Sequence, residues 1–173
     1  FESYTLSDDY KKITLILSTP LKNNTNYSIL VNGIKDDEQN QIEFSNIATF
    51  DYRIETNLYD LIITEILPDP SPKVDLPEVE YFEIYNQLSD TLELKNYTIT
   101  DGSSTGIFPS YKLHPFQYAV VCQITNQNLF TSYGRTIGLT TFPTLNNSGD
   151  NLTLKNHKGK IIHEVMYSDT WYG

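Results

Sequence analysis

The residues most capable of chemistry are carboxylates that crowd into one stretch of the chain. Residues 60–93 hold nine acidic side chains and a single lysine. Asp69 and Asp75 fall in one proline-rich loop, and Glu78 and Glu80 follow directly after it. Hard oxygen ligands suit Ca²⁺, but the sequence lacks the ligand register of an EF-hand, and Asp before Pro forms turns without metal. We therefore expect no cofactor and leave calcium as the alternative.

Two other acid- or metal-dependent chemistries are disfavoured by spacing. The chain contains three histidines, His114, His157 and His163. They do not stand at the close ligand spacing of a zinc site. Glu80 and Glu83 resemble a pair of glycosidase carboxylates, but along one strand they point to opposite faces and cannot share a substrate. The sequence predicts neither a zinc enzyme nor a glycosidase.

Nucleophilic catalysis has no better support. A serine hydrolase of the α/β type needs a G-x-S-x-G elbow, which the chain lacks, and Ser103 and Ser104 lie in a plain turn. The single cysteine, Cys122, cannot form an intrachain disulfide and lies in the apolar run YAVVC. A buried hydrophobic thiol is the expected role there. We predict a protein that is not an enzyme.

Composition and charge narrow the class of protein. Apolar residues make up 39% of the chain, and they are mostly β-branched or aromatic with almost no helical periodicity. An all-β fold follows. The formal net charge of −10 argues against nucleic acids and anionic membranes, since both attract cationic proteins. No run reaches the ~18 apolar residues of a membrane-spanning helix, so we expect no direct membrane insertion.

The polar and aromatic tail YSDTWY, residues 167–172, is a second candidate for function. Trp and Tyr favour binding interfaces, but they also cap the edge of a β-sandwich, which is the role we favour here. The acidic loop has a similar alternative, a solvated acidic face. The candidate interaction surface joins both groups: Asp69, Asp75, Glu78, Glu80, Tyr167, Trp171 and Tyr172.

Alternation of apolar residues predicts three strands in the first third of the chain, over residues 13–18, 27–31 and 45–52. In the first strand, every second residue from Ile13 is predicted to share one face, and in the second, every second residue from Tyr27 is predicted to face inward. Three strands seldom make a stable domain alone, so we expect either that an N-terminal half of this unit is missing or that the unit packs on its neighbour.

After a predicted linker at residues 56–59, further strands are predicted over residues 61–67, 81–86, 91–100 and 118–123. A C-terminal hairpin follows, in which Leu152 and Leu154 alternate with polar residues before the turn NHKG. Two alternating sets of its second strand are predicted to face opposite sides: Ile161, His163 and Val165 against Ile162, Glu164 and Met166. About seven short strands separated by turns indicate a β-sandwich.

Two stretches resemble the bacterial form of the lamin tail domain. They are residues 61–86, LIITEILPDPSPKVDLPEVEYFEIYN, and residues 144–172, TLNNSGDNLTLKNHKGKIIHEVMYSDTWY. The resemblance covers residues 60–173 and implies an immunoglobulin-like β-sandwich. The chain departs from the family pattern at three places: Thr64 stands for Asn, Asn96-Tyr97 for Gly-Trp, and His114-Pro115-Phe116 for the more usual Pro-Gly turn.

Residues 1–55 resemble the C-terminal half of a bacterial immunoglobulin-like repeat, through LSTPLKNNTNYSILVNGIKDDEQNQI and the closing TFDY. The predicted fold is therefore an all-β, immunoglobulin-like β-sandwich of the lamin-tail type at residues 60–173, preceded by a partial immunoglobulin-like β unit. Because the chain begins at Phe-Glu-Ser without Met, we interpret it as a piece of a longer protein.

The resemblance implies a non-catalytic structural or interaction module of a larger secreted or cell-surface bacterial protein, acting in adhesion, spacing or domain docking. The expected partners are neighbouring domains of the same polypeptide, and protein or glycan at the cell surface, with no nucleic acid. The alternative is an accessory targeting domain of a secreted hydrolase of the nuclease or phosphatase type, because bacterial lamin-tail-like domains often accompany such enzymes.

Overall fold

The chain forms two compact units, Phe1–Ile54 and Glu55–Gly173. The computed structural model describes residues 1–33, 35, 38–41, 46–71 and 75–172. The segment predicted as a linker, residues 56–59, is built into the second unit, where Thr56 is fully buried and its carbonyl accepts a hydrogen bond from Asn156 at 3.1 Å. That contact joins residues 100 positions apart, so no local sequence pattern predicts it.

The first unit contains two antiparallel β-hairpins. Its strands are β1 (Ser3–Leu6), β2 (Ile13–Ile16), β3 (Thr25–Leu30) and β4 (Ile47–Tyr52), with β1 paired to β2 and β3 paired to β4. The last three match predicted strands to within two residues at either end, and β1 was not predicted. Ser45, which opens the third predicted strand, lies outside the described residues.

The apolar faces of the first unit are largely open to solvent. Ile13 and Leu15 of β2 are 53% and 38% exposed, and Ile29 of β3, which was predicted to face inward, is 41% exposed. A two-stranded sheet buries an apolar face only when a second layer covers it, and these side chains each stay more than a third exposed. The inward-facing prediction is therefore wrong here. Tyr27 and Phe50 stack across β3 and β4, with ring centroids 5.8 Å apart.

The second unit is a β-sandwich. Its strands are β5 (Leu61–Leu67), β6 (Tyr81–Asn86), β7 (Leu92–Glu93), β8 (Thr98–Thr100), β9 (Thr105–Ile107), β10 (Lys112–Leu113), β11 (Tyr118–Gln123), β12 (Thr136–Leu139), β13 (Gly149–Lys155) and β14 (Ile161–Ser168). One sheet has the strand order β12-β11-β6-β5, the other β14-β13-β8-β9, and β7 pairs with β10. Short 3₁₀ helices cover Ile124–Phe130 and Asp169–Tyr172. The immunoglobulin-like β-sandwich expected from the sequence is confirmed.

The strongest sequence patterns gave the correct strands. Residues 61–67, 81–86 and 118–123 coincide with β5, β6 and β11. The single strand predicted over residues 91–100 is instead divided into β7 and β8, because Asn96 adopts a positive φ of 69° in a turn between them. The strands that were missed, β9, β10 and β12, are two to four residues long and carry too little alternation to be recognised.

The core lies between the two four-stranded sheets. Phe82 and Ile84 point inward from β6, and Leu152 and Leu154 from β13 do the same in the opposite sheet; all four are fully buried. Burying one such side chain stabilises the fold by roughly 1.5–3 kcal/mol. The alternation of inward and outward residues therefore fixes which face of each sheet forms the core.

A β-bulge changes the facing of the C-terminal hairpin. Leu154 pairs with His163 but Lys155 pairs with Ile161, which leaves Ile162 as an extra residue on β14. Ile162 is fully buried and Ile161 is 40% exposed, so the facing predicted for these two residues is wrong. One inserted residue reverses the alternation on its side of the bulge, and periodicity alone does not reveal it.

Asn86, at the end of β6, joins two segments of the chain from the interior, residues 88–90 and residues 113–114. Its buried amide nitrogen lies 2.9 Å from the carbonyl oxygen of Asp90 and 3.1 Å from those of Leu113 and His114. Its side-chain oxygen accepts the N–H of Leu88 at 3.0 Å. These carbonyls belong to loops and short strands that lack a full ladder of their own, so one side chain satisfies several buried backbone groups.

Replacing Asn86 with Leu should lower the free energy of unfolding by about 3 kcal/mol or more, because several buried backbone groups lose their partner at roughly 1–3 kcal/mol each. Asn86→Asp should also be strongly destabilising, since a carboxylate cannot donate to carbonyl oxygens. Urea unfolding followed by the fluorescence of Trp171 measures both. The exposed Asn128→Leu is the control, expected within about 0.5 kcal/mol of wild type; equal effects at the two positions would contradict the role of Asn86.

Candidate functional site

Asp69 lies at the rim of a cleft of mixed polar and apolar lining. Its carboxylate accepts the backbone N–H of Ser71 at 3.1 Å, which fixes the turn of the proline-rich loop. The cleft, about 350 Å³ in volume, is also lined by Asn147 and Asp169. The structure thus brings the loop against the C-terminal tail, the two parts of the predicted interaction surface. Asp169 was not among the predicted residues.

The other three predicted acidic residues lie in different surroundings. Asp75 adopts a positive φ of 62°, and its backbone carbonyl accepts the hydroxyl of Tyr133 at 2.7 Å. Glu80 is half-buried and accepts the backbone N–H of Leu145 at 3.1 Å, while Glu78 is exposed. The four carboxylates therefore do not converge on one site. Among the described residues no group of three or more His, Cys, Asp or Glu side chains is placed to hold a metal ion. The calcium alternative stays a prediction.

The aromatic tail is divided between the core and the surface. Tyr167 is only 2% exposed, and its hydroxyl donates to the carbonyl of Asn146 at 3.0 Å, so it is a core residue and leaves the candidate surface. Trp171 is 61% exposed and lines a shallow groove with Val165 and part of β5. The packed indole expected of a cap is therefore not what the structure shows. The side chain of Tyr172 lies outside the described residues.

The outer face of the sheet β12-β11-β6-β5 carries a second, smaller core at one end. Tyr81 from β6, Cys122 from β11 and Phe130 from the 3₁₀ helix are all buried there, and the rings of Tyr81 and Phe130 meet edge to face at 5.2 Å. Further apolar side chains pack around them: Leu67, Leu76, Val79 and Val120. Half of this outer face is therefore closed by the helix and by the loop after β5.

The other half of the same face is open and forms a groove of about 270 Å³, which we call the aromatic groove. Three of its aromatic side chains are exposed: Phe116 by 57%, Tyr118 by 50% and Tyr133 by 52%. Polar groups share its walls: Glu83, Gln117 and Arg135. Tyr85 supports Tyr118 from the neighbouring strand, with ring centroids 4.3 Å apart.

Sequence reasoning missed the aromatic groove, although part of the signal was present. The alternation in YAVVC places Tyr118 on the face opposite Ala119, outside the main core. Phe116 has a positive φ of 55°, a conformation that a bulky residue adopts at a steric cost. What the sequence does not indicate is that Tyr133 and Arg135, which follow the 3₁₀ helix, lie across the groove.

The histidine of the C-terminal hairpin links the two sheets of the sandwich along one side. Nδ1 of His163 on β14 accepts the backbone N–H of Ile63 on β5 at 3.1 Å, and so joins the edges of the two sheets. Tyr59 packs edge-on against the imidazole at 5.9 Å. Burial lowers the pKa of His163, because it disfavours the charged ring. A protonated Nδ1 is a donor and cannot accept this hydrogen bond.

Carboxylates in the loops are engaged by backbone amides. Glu93 accepts the N–H groups of Lys95 at 3.1 Å and of Tyr111 at 3.0 Å. Asp101 accepts those of Ser103 at 2.7 Å and Ser104 at 2.6 Å. Partial burial acts to raise the pKa of Asp101, but these hydrogen bonds outweigh it and leave the pKa below its ordinary value. These acids stabilise turns, which is a structural use of their charge.

Comparison with protein-family models matches residues 55–169 to the lamin tail domain. The match covers two-thirds of the chain and coincides with the second compact unit. A search of curated proteins finds no match.

Cys122 should be chemically silent in the folded protein. It is fully buried, and desolvation raises the pKa of its thiol to about 11, so almost no thiolate forms near neutral pH. With a chromogenic disulfide reagent at pH 8, we expect reaction at least ~100-fold slower than in guanidinium chloride, where burial is lost. Rapid labelling of the native protein would contradict this.

The hydrogen bond that His163 accepts from Ile63 should weaken in mild acid. Because the folded-state pKa is lowered, the stabilisation is complete above the unfolded-state value of about 6.5 and is lost as the pH falls toward the folded-state value. One proton limits the slope to about 1.4 kcal/mol per pH unit, and the partial exposure of the ring reduces it further. His163→Asn keeps an acceptor without titrating, so its unfolding free energy should change less between pH 7.5 and 5.5. An equal change in both proteins would rule out His163 as the cause.

Proposed function

The chain belongs to the lamin tail domain family, a family of immunoglobulin-like structural and interaction domains, and on this basis we propose that it is a non-catalytic module of a larger secreted or cell-surface bacterial protein. Its work is adhesion, spacing or the docking of neighbouring domains. Its partners are those neighbouring domains and protein or glycan at the cell surface.

The observation that carries this proposal is the structural use of the reactive side chains. His163 holds the N–H of Ile63, Glu93 and Asp101 hold loop amides, and the thiol of Cys122 is buried in an apolar cluster. General acids, bases and nucleophiles must be free to reach a substrate. Side chains engaged in this way are suited to holding a rigid scaffold instead.

The arrangement in units supports a role in spacing and docking. Two compact units follow each other along the chain, and the second has a complete core of its own. A unit with its own core can act as an independent module of a longer polypeptide. Within the described residues, no helix is long and apolar enough to span a membrane.

A targeting role for a secreted hydrolase is the second candidate. It is favoured by the aromatic groove and by exposed Trp171, since clustered exposed aromatic side chains are characteristic of recognition surfaces. In that case the nuclease or phosphatase chemistry lies elsewhere in the same polypeptide. The sequence of the full-length gene separates the two: a hydrolase domain favours targeting, and repeated immunoglobulin-like modules favour adhesion or spacing.

Fractionation of bacteria that produce the full-length protein tests the proposal directly. Antibodies against the purified chain should detect it in the envelope or the medium, and the purified chain should hydrolyse neither duplex DNA nor p-nitrophenyl phosphate. Detection in the cytosol would contradict the proposed location. Turnover that co-purifies with the 173-residue chain would contradict the non-catalytic role.

A further inference from the structure

We propose that the aromatic groove binds one ring of a neutral glycan, with the sugar stacked on Phe116 and Tyr118 and its hydroxyls bonded to polar groups of the walls. This names a ligand for the interaction role proposed above and rests on it.

The first support is the presentation of aromatic faces. Phe116, Tyr118 and Tyr133 are 57%, 50% and 52% exposed, although large aromatic side chains are usually buried. The rings of Tyr85 and Tyr118 lie 4.3 Å apart, which limits the motion of Tyr118. Flat apolar rings of this kind offer surface to the C–H face of a pyranose at little entropic cost.

The second support is backbone strain at Phe116. Its φ of 55° is normally left to glycine. The turn is closed by the N–H of Gln117, which donates to the carbonyl of His114 at 3.3 Å. A strained, exposed phenylalanine adds nothing to the core, so its cost points to a role outside the fold.

The third support is a set of polar groups around the rings that still have unused hydrogen-bond donors or acceptors. The guanidinium of Arg135 is exposed and forms no ion pair with any described residue. Oε1 of Gln117 is buried and accepts no hydrogen bond within the described part of the chain. Glu83 uses one oxygen to accept the hydroxyl of Thr64 at 2.7 Å. Sugar hydroxyls both donate and accept, so one ring can serve Arg135, the second oxygen of Glu83, and Gln117 once its amide turns toward the groove.

Size and charge define the ligand further. A volume of 270 Å³ is just below the ~300–1,000 Å³ typical of drug-sized ligands, and suits a single ring of a longer chain. Glu83 lies in the groove and the chain carries a net charge of −10, so an anionic sugar would be repelled despite Arg135. A neutral hexose fits better than a uronic acid.

A peptide fits the groove less well. The floor strand β11 is paired with β6 on one side and β12 on the other, so no strand can be added to it. A proline-rich peptide would stack on the rings, but proline has no N–H to donate to Gln117. A sugar ring is therefore the ligand class that can both stack on the aromatic rings and form hydrogen bonds with the polar groups of the walls.

Isothermal titration of the full chain with neutral trisaccharides of glucose, N-acetylglucosamine, mannose and galactose tests the proposal, with a trigalacturonate and a proline decapeptide as comparison ligands. We expect at least one neutral trisaccharide to bind. Tyr118→Ala should weaken it about tenfold, the scale of one lost aromatic contact. Trp171→Ala removes an equally exposed ring outside the groove and should leave the affinity within about twofold.

Phe116→Gly separates binding from folding. Glycine relieves the positive φ, so the melting temperature should stay the same or rise while glycan affinity falls about tenfold. The proposal is overturned if no neutral trisaccharide binds, if trigalacturonate or the proline peptide binds instead, or if Trp171→Ala weakens binding as much as Tyr118→Ala. In those cases detection of the protein at the cell surface would still uphold the interaction role, with a different ligand.

Discussion

The second unit depends above all on the buried amide of Asn86. β6 delivers this side chain to the interior, where it supplies donors to the carbonyls of residues 90, 113 and 114. The backbone N–H of Asn86 in turn donates to Gln117 at 3.0 Å, so the same residue anchors the turn that displays Phe116. A polar group in an apolar core is tolerated only when it is fully bonded, which makes this geometry hard to change without loss of the loops. The scaffold and the aromatic groove thus share one anchor.

The outer face of the sheet β12-β11-β6-β5 has two parts, a small buried core at one end and the open aromatic groove at the other. At one end, the 3₁₀ helix packs against β12, where Gly138 leaves room: a Cβ there would lie 2.8 Å from the Cα of Ile124. The helix then brings Phe130 over Tyr81. The chain continues through Tyr133 to Arg135 and stops short of covering Tyr118. The aromatic groove is the part of the sheet that this cover leaves open.

The two units differ in how completely their alternating apolar residues are buried. In the second, apolar residues on alternating positions find a facing sheet, and a histidine and two asparagines close the gaps between elements. In the first, equally regular alternation leads to hairpins whose apolar side chains remain open to solvent. Periodicity specifies which face of a strand is apolar, but a core requires a second layer.

The sequence by itself determined the all-β class, the bounds of β5, β6 and β11, and the family, because these depend on local alternation, turn residues and short motifs. It did not determine which residues share a surface. Tyr167 and Trp171 look alike in the sequence, yet one is core and the other is exposed. The bulge at Ile162, the burial of Thr56 and the aromatic groove all arise from contacts between distant segments. Tertiary structure decided them, because side-chain environment depends on what packs across a strand and not on its own periodicity.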